Sequence, residues 1–186
     1  MTEKDVLLDV GGRLERLGLS YMLTGSLASM YYGIPRFTHD IDIVIQIPPV
    51  AIERLVQEFQ PEYFVDAQMV RESYQGILQF NLLHYQTGIK IDFWMTRSDA
   101  FHRSMFERRH CEAIWGQKIW ICRPEDIVLH KLFWNQISPS DRQIADVKGV
   151  LQVCDKKLDW AYIHKWADQL SVKQILHQIQ EQLLKD

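Results

Sequence analysis

Hydrophobic residues in the first 60 positions follow helical and strand-like spacings in turn. From Lys4 to Leu17 they recur every three or four residues, which predicts an amphipathic helix ended by Gly18. The pattern next predicts a strand ending in a tight turn over 20–26 and a short helix over 27–32. A second strand is predicted over 41–47. The following helix has one apolar face, formed by Ile52, Leu55, Val56 and Phe59.

Two β-rich runs follow, and Gln86-Thr87-Gly88 between them is typical of a hairpin turn. A helix is predicted from Ser98, as its N-cap, to His110. The hydrophobic pattern of residues 60–76 predicts neither a helix nor a strand. The predicted strands of this region are 77–85, 89–96, 111–115 and 118–122, the last two flanking Gly116-Gln117.

From Pro124 onward the spacing is helical throughout. The predicted helices cover 124–136, 139–153, 159–169 and 172–184. We therefore predict an α+β fold, in which a mixed sheet flanked by helices occupies residues 1–122 and a helical segment, 123–186, packs on it.

Composition excludes several classes of protein. With 47% hydrophobic and 24% charged residues, the 186-residue chain is typical of a globular protein. No apolar stretch approaches the roughly 18 residues of a membrane helix, and the first residues do not resemble a secretory signal. We expect a cytoplasmic protein with no membrane partner. Because its three cysteines form no CxxC pair, free buried thiols are favoured over disulfides or a zinc site.

Charge is distributed unevenly along the chain. Residues 1–96 carry 7 Lys/Arg against 12 Asp/Glu, whereas residues 97–186 carry 14 against 12. The basic half favours a polyanionic partner such as RNA, although solvated side chains on a surface helix explain such a cluster more commonly. The cations concerned are Arg103, Arg108, Arg109, His110, Lys118 and Arg123.

Carboxylates interrupt two of the predicted strands. Asp40 and Asp42 are two residues apart in a strand, so both project to the same face, where their charges repel unless a cation compensates them. Asp92 has a similar apolar strand context, and adjacent strands would bring it beside the pair. Oxygen ligands of this kind suit Mg²⁺, with one acid free to act as a general base. The alternative is that Asp92 faces water from an edge strand.

Gly25 and Ser26 form a second candidate feature. A Gly-Ser turn at a helix N-terminus offers free backbone N–H groups and a hydroxyl to a phosphate. The alternative is that Ser26 is an ordinary N-cap.

Together these motifs resemble the nucleotidyltransferase fold of the DNA polymerase β superfamily: G-S, then T-x-D-x-D on a strand, then K-x-D on a later strand. The resemblance implies that Gly25 and Ser26 hold the triphosphate tail of a nucleotide. It also implies that Asp40 and Asp42 ligate two Mg²⁺ ions and that Asp92 is both ligand and base.

The helical C-terminal portion makes the chain similar to minimal nucleotidyltransferases related to abortive-infection toxins. The resemblance implies nucleotide-binding roles for Lys90, Lys131 and Asp146, and Arg36 could neutralise phosphate. Simpler alternatives exist: Lys131 could extend to water, Arg36 could be solvated in a loop, and Asp146 could pair on the surface with Arg142, one helical turn away.

The expected activity is transfer of an NMP from an NTP, such as ATP, to a hydroxyl. The acceptor could be an RNA 3′ end such as that of tRNA, a protein, or a small molecule such as an aminoglycoside. A toxin role would imply an antitoxin partner. The alternative function is a nucleotide-binding or regulatory module that keeps the fold without turnover.

Overall fold

The computed structural model describes residues 1–38 and 40–185. The chain divides into two compact units. The sheet unit comprises Met1–Thr24 and Thr38–Ile121, and the helical unit comprises Gly25–Phe37 and Cys122–Asp186. Residues 25–37 therefore group with the C-terminal helices, and the division of the chain at 122/123 into two domains stays a prediction.

The sheet unit contains a seven-stranded mixed sheet within the described residues. Its strands are β1 (Ser20–Thr24), β2 (Asp40–Gln46), β3 (Tyr63–Phe64), β4 (Gln79–His84), β5 (Lys90–Met95), β6 (His110–Ile114) and β7 (Gln117–Ile121). The spatial order is β3-β4-β5-β2-β1-β7-β6. Only the β2–β5 and β1–β7 pairs among these are parallel.

Helices account for most of the remaining chain. In the sheet unit they are α1 (Glu3–Leu17), α3 (Ile52–Phe59), α4 (Ala67–Glu72) and α5 (Ala100–Glu107), with a 3₁₀ turn at Pro49–Ala51 and a π-helical turn at Ser73–Ile77. In the helical unit they are α2 (Gly25–Tyr32), α6 (Pro124–Ile137), α7 (Asp141–Cys154), α8 (Trp160–Gln169) and α9 (Lys173–Leu183), with a 3₁₀ turn at Asp155–Lys157. None of the helices in the described part of the chain is both long and apolar enough to cross a membrane.

Strand alternation decides which face of β2 carries the acids. Ile41, Ile43 and Ile45 are fully buried, whereas Asp40 is exposed and Asp42 is half-buried. Because successive side chains of a strand point to opposite faces, the three isoleucines pack in the core and the two acids lie on the other face.

A glycine allows the close approach of α2 to α7 in the helical unit. A Cβ at Gly33 would lie 2.7 Å from the backbone nitrogen of Val150 and 2.8 Å from the carbonyl carbon of Gly149. Nearby, the Tyr32 hydroxyl donates to the Cys122 carbonyl over 2.7 Å, and the Cys154 thiol donates to the Tyr32 carbonyl over 3.2 Å. These contacts explain why residues 25–37 group with the C-terminal helices.

Some predicted boundaries are wrong. The helix predicted from Ser98 to His110 covers only Ala100–Glu107, because the Asp99 side chain caps it and His110 already begins β6. Helix α2 begins at Gly25, two residues before its predicted start, and α7 begins at Asp141 rather than at residue 139. All three cysteines are free thiols, but only Cys122 is buried.

Candidate active site

The three aspartates predicted to act together come from two neighbouring strands of the sheet unit. Strands β2 and β5 run parallel in a register that places Asp42 opposite Asp92 and Asp40 opposite Lys90. Directly opposed residues have their side chains on the same face. The acids therefore share one face of the sheet, and Asp92 lies on an inner strand rather than at the edge.

Lys90 lies between two of the acids. Its Nζ is 2.8 Å from Asp92 Oδ2 and 3.8 Å from Asp40 Oδ1. The hydrogen bond to Asp92 raises the pKa of the Lys90 ammonium, and the three neighbouring carboxylates add to this effect. Lys90 is thus a firmly protonated counter-ion for the acids.

Two buried polar atoms flank Asp42 in the same cross-strand row. Asp92 Oδ1 is buried without a hydrogen-bond partner among residues 1–38 and 40–185, and so is the hydroxyl of Thr24, the β1 residue opposite Asp42. The Asp92 side chain is only 8% exposed. Because buried polar groups nearly always have partners, these two atoms are acceptors available to a ligand.

The chemistry of the donors, though not a closed cage of three ligands, suits a hard divalent cation. Carboxylate oxygens are the ligands that Mg²⁺ prefers, and Asp92 offers a buried oxygen that nothing else among the described residues binds. No group of three His, Cys, Asp or Glu side chains in the described residues is close enough to enclose an ion. The Lys90 ammonium instead bridges Asp92 and Asp40.

The Gly-Ser turn lies in the helical unit. Gly25 has a φ of 65°, a left-handed conformation that glycine adopts without steric cost and that lets α2 begin directly after β1. The Ser26 hydroxyl accepts a 2.8 Å hydrogen bond from Arg36 Nη2. Ser26 is therefore joined to the predicted phosphate-binding arginine.

Asp146 links the remaining predicted residues of the helical unit. Its two carboxylate oxygens accept from Arg36 Nε at 2.7 Å and Nη2 at 2.9 Å, and its Oδ2 lies 2.9 Å from Lys131 Nζ. The side chains of Asp146 and Lys131 are 4% and 12% exposed. The three alternatives offered above, of a surface pair with Arg142, a solvated Arg36 and an extended Lys131, are therefore wrong.

The charge balance of this cluster, which we call the Asp146 cluster (Ser26, Arg36, Lys131 and Asp146), favours an anion. Burial raises the pKa of Asp146, but hydrogen bonds from Arg36 and Lys131 outweigh it and hold the pKa below its usual value. Asp146 is therefore ionised at neutral pH. Two cations and one carboxylate leave the cluster with one net positive charge.

The predicted site residues thus form two sets. Asp40, Asp42, Lys90 and Asp92 meet on the sheet unit. The helical unit holds Gly25 and the Asp146 cluster.

Sequence reasoning missed Trp94 and Thr24. The Trp94 indole N–H donates to Asp42 Oδ1 over 3.4 Å, and Thr24 is the register partner of Asp42. Alternation along β5 was a usable signal, because Trp94 is two residues from Asp92 and must share its face. Thr24 could be identified only from the pairing of β1 with β2.

Comparisons with known proteins show the fold. No protein-family model matches the chain, and neither does any curated protein sequence. An antigenic nucleotidyltransferase-like protein from Paracoccidioides brasiliensis superposes with a TM-score of 0.59 at 17% identity, over 95% of this chain and 90% of its own.

Two further solved structures are also similar to this chain. The lincosamide antibiotic adenylyltransferase LnuA, bound to lincomycin, gives a TM-score of 0.56 at 15% identity over 82% of this chain and 98% of its own. The enzyme ANT(2")-Ia, in complex with adenylyl-2"-tobramycin, gives 0.61 at 12% identity over 92% and 98%. The chain therefore has the nucleotidyltransferase fold, with a mixed sheet and flanking helices as predicted.

Proposed function

We propose that this chain is a metal-dependent nucleotidyltransferase that moves an NMP from an NTP to a hydroxyl group. The observation that carries the proposal is the pairing of Asp42 with Asp92, whose buried Oδ1 has no partner among the described residues. The Lys90 ammonium pairs with Oδ2 of Asp92, which leaves the buried Oδ1 as an acceptor for a ligand. The nucleotidyltransferase fold supports the same reaction class.

Under this proposal Asp40, Asp42 and Asp92 hold two Mg²⁺ ions, as the resemblance implies. The ions, when bound, neutralise phosphate charge and stabilise the charge that develops during phosphoryl transfer. Asp92 also acts as general base, and accepts the proton of the attacking hydroxyl. Lys90 keeps the net charge of the acids low before the ligands bind.

The Asp146 cluster would bind the triphosphate tail. Ser26 would offer its hydroxyl to the phosphate. Gly25 has no Cβ, so the phosphate could approach its backbone closely. Arg36 and Lys131 supply two cations held in fixed positions by Asp146. Such preorganisation lowers the entropic cost of binding a phosphate. Asp146 is thus a positioning residue.

Two acceptor classes are consistent with the proposal. The resemblance to toxin-type enzymes favours an RNA 3′ end such as that of tRNA, or a protein, together with an antitoxin partner. The similarity to LnuA and ANT(2")-Ia favours a small hydroxylated molecule as a second candidate. ATP is the first nucleotide to test, because LnuA is named as an adenylyltransferase and ANT(2")-Ia was solved with an adenylylated antibiotic.

The test is a transfer assay with Mg²⁺ and each α-labelled NTP. The acceptors are total RNA, cell-extract protein, an aminoglycoside and a lincosamide. Wild type should label one class, whereas Asp42→Asn and Asp92→Asn should lose at least about 100-fold in rate. Asp168→Asn is the matched control, because Asp168 is exposed and pairs with Lys173 in the helical unit.

Different outcomes separate the candidates. Nucleotide binding without transfer to any acceptor would favour the non-catalytic module. Absence of both Mg²⁺ binding and nucleotide binding would refute the proposal, and equal activity of Asp92→Asn would refute the role of Asp92.

A further inference from the structure

Strand β5 carries a third polar side chain on the face of the acids. Lys90, Asp92 and Trp94 alternate with buried Ile91, Phe93 and Met95. Trp94 is opposite Val44, two residues beyond Asp42 on the neighbouring strand. A diagonal neighbour of this kind is within reach of an aromatic side chain. The indole N–H accordingly donates to Asp42 Oδ1 over 3.4 Å.

From this contact we infer that Trp94 is a positioning residue for Asp42, an inference that rests on the proposed function. The indole N–H is a donor only and cannot bind a cation. The contact places the indole N–H beside Oδ1 of Asp42, where it restrains rotation of the carboxylate.

The surroundings of Asp42 make this constraint important. Asp42 is half-buried, and the Lys90 ammonium contacts Asp92 and Asp40 at the distances given above. The two acids therefore contact different donors on β5: Asp42 contacts the Trp94 indole N–H, whereas Asp92 contacts the Lys90 ammonium. Loss of a residue that orients a metal ligand typically lowers metal affinity by about 10- to 100-fold.

The substitution Trp94→Phe removes the indole N–H and keeps an aromatic ring. Trp115→Phe is the matched control, because Trp115 is 53% exposed in the β6–β7 turn of the same unit. Affinity for Mn²⁺, measured by electron paramagnetic resonance without nucleotide, should fall about 10-fold in Trp94→Phe and stay unchanged in the control. In the transfer assay the metal concentration for half-maximal rate should rise by a similar factor, with KM for NTP unchanged at saturating metal.

A spectroscopic readout tests the contact even if Trp94→Phe folds poorly. The chain has six tryptophans, so six indole N–H resonances are expected in a ¹⁵N-labelled sample. In wild type one of them should shift on Mg²⁺ addition. In Asp42→Asn the same resonance should be displaced before Mg²⁺ is added and should no longer respond to it.

The outcomes distinguish this inference from the proposed function. If wild type binds Mn²⁺ and Trp94→Phe binds it equally well, the positioning role is refuted while the enzyme proposal stands. Failure of any indole resonance to change in Asp42→Asn likewise refutes the contact. If wild type binds no Mn²⁺ or Mg²⁺, both fail together.

Discussion

Replacing Asp146 by Asn should destabilise the protein strongly, although the substitution changes few atoms. The Asp146 carboxylate accepts three charged hydrogen bonds, two from Arg36 and one from Lys131. Asparagine keeps the shape and one acceptor oxygen but removes the negative charge. Lys131, with a side chain only 12% exposed, then remains as a buried cation without its counter-ion.

The size of the effect follows from burial. Removing one member of a buried ion pair costs about 3–5 kcal/mol. Arg36 is 28% exposed and can turn towards water, and the Asn carbonyl still accepts one hydrogen bond, so we expect the lower end, about 3 kcal/mol. For a chain of this size that corresponds to a fall in Tm of about 6–12 °C.

The assay is thermal unfolding followed by circular dichroism, with Arg142→Gln as the control on the same helix. Arg142 is exposed, so its substitution should change the free energy of unfolding by less than about 0.5 kcal/mol. Adding Lys131→Met to Asp146→Asn removes the uncompensated cation and should recover part of the loss. A Tm for Asp146→Asn within about 2 °C of wild type would refute the argument, because that is the effect of a surface pair.

Three further predictions follow from other contacts. Gly33→Ala should cost more than about 2 kcal/mol, because its Cβ would meet backbone atoms of α7 within 3 Å. Gly12→Ala in α1 would place its Cβ against the ends of two flexible side chains, Gln117 at 3.4 Å and Arg16 at 3.6 Å, and should stabilise by about 0.5–1 kcal/mol; urea titrations compare the two. The pKa of Asp146 is lowered in the folded protein, so the stabilisation by its carboxylate is complete above the ordinary pKa of 3.8 and is lost as pH falls through the folded-state pKa. The difference in unfolding free energy between wild type and Asp146→Asn should therefore be equal at pH 7 and pH 5 and should shrink at pH 3. A chelator should move Tm by less than about 1 °C, because the Lys90 ammonium already bridges two of the acids. Mg²⁺ together with NTP at about 100 times its Kd should raise Tm by about 5–11 °C. Unfolding by the chelator alone would contradict this prediction.

The acidic residues on the strands were the part of the candidate site that the sequence predicted best. Asp40, Asp42 and Asp92 stood out because carboxylates are uncommon in apolar strand runs, and a period of two placed them on a face without any tertiary knowledge. Their pairing across β2 and β5 agrees with that reasoning. Their catalytic roles stay a proposal.

Contacts between distant parts of the chain were not predictable. Arg36 and Asp146 are 110 residues apart, and nothing local indicated that they would meet. Asp146 instead matched the spacing of a surface pair with Arg142, because an i,i+4 pattern is visible in sequence whereas burial is not. The start of α5 was predicted wrongly for a related reason: Ser98 and Asp99 are both favourable N-cap residues, and only the fold decides between them.

The apolar side of the sheet explains why the acids meet as they do. A shift of one residue between β2 and β5 would turn every side chain of one strand to the opposite face. Such a shift would bury Asp42 and expose the isoleucines of β2, which are fully buried together with Ile91 and Phe93. Core packing therefore enforces the register that sets Asp42 against Asp92. The positions of Lys90 and Trp94 beside these acids then follow from alternation along β5, so the hydrophobic residues that never touch a ligand determine the geometry of the candidate site.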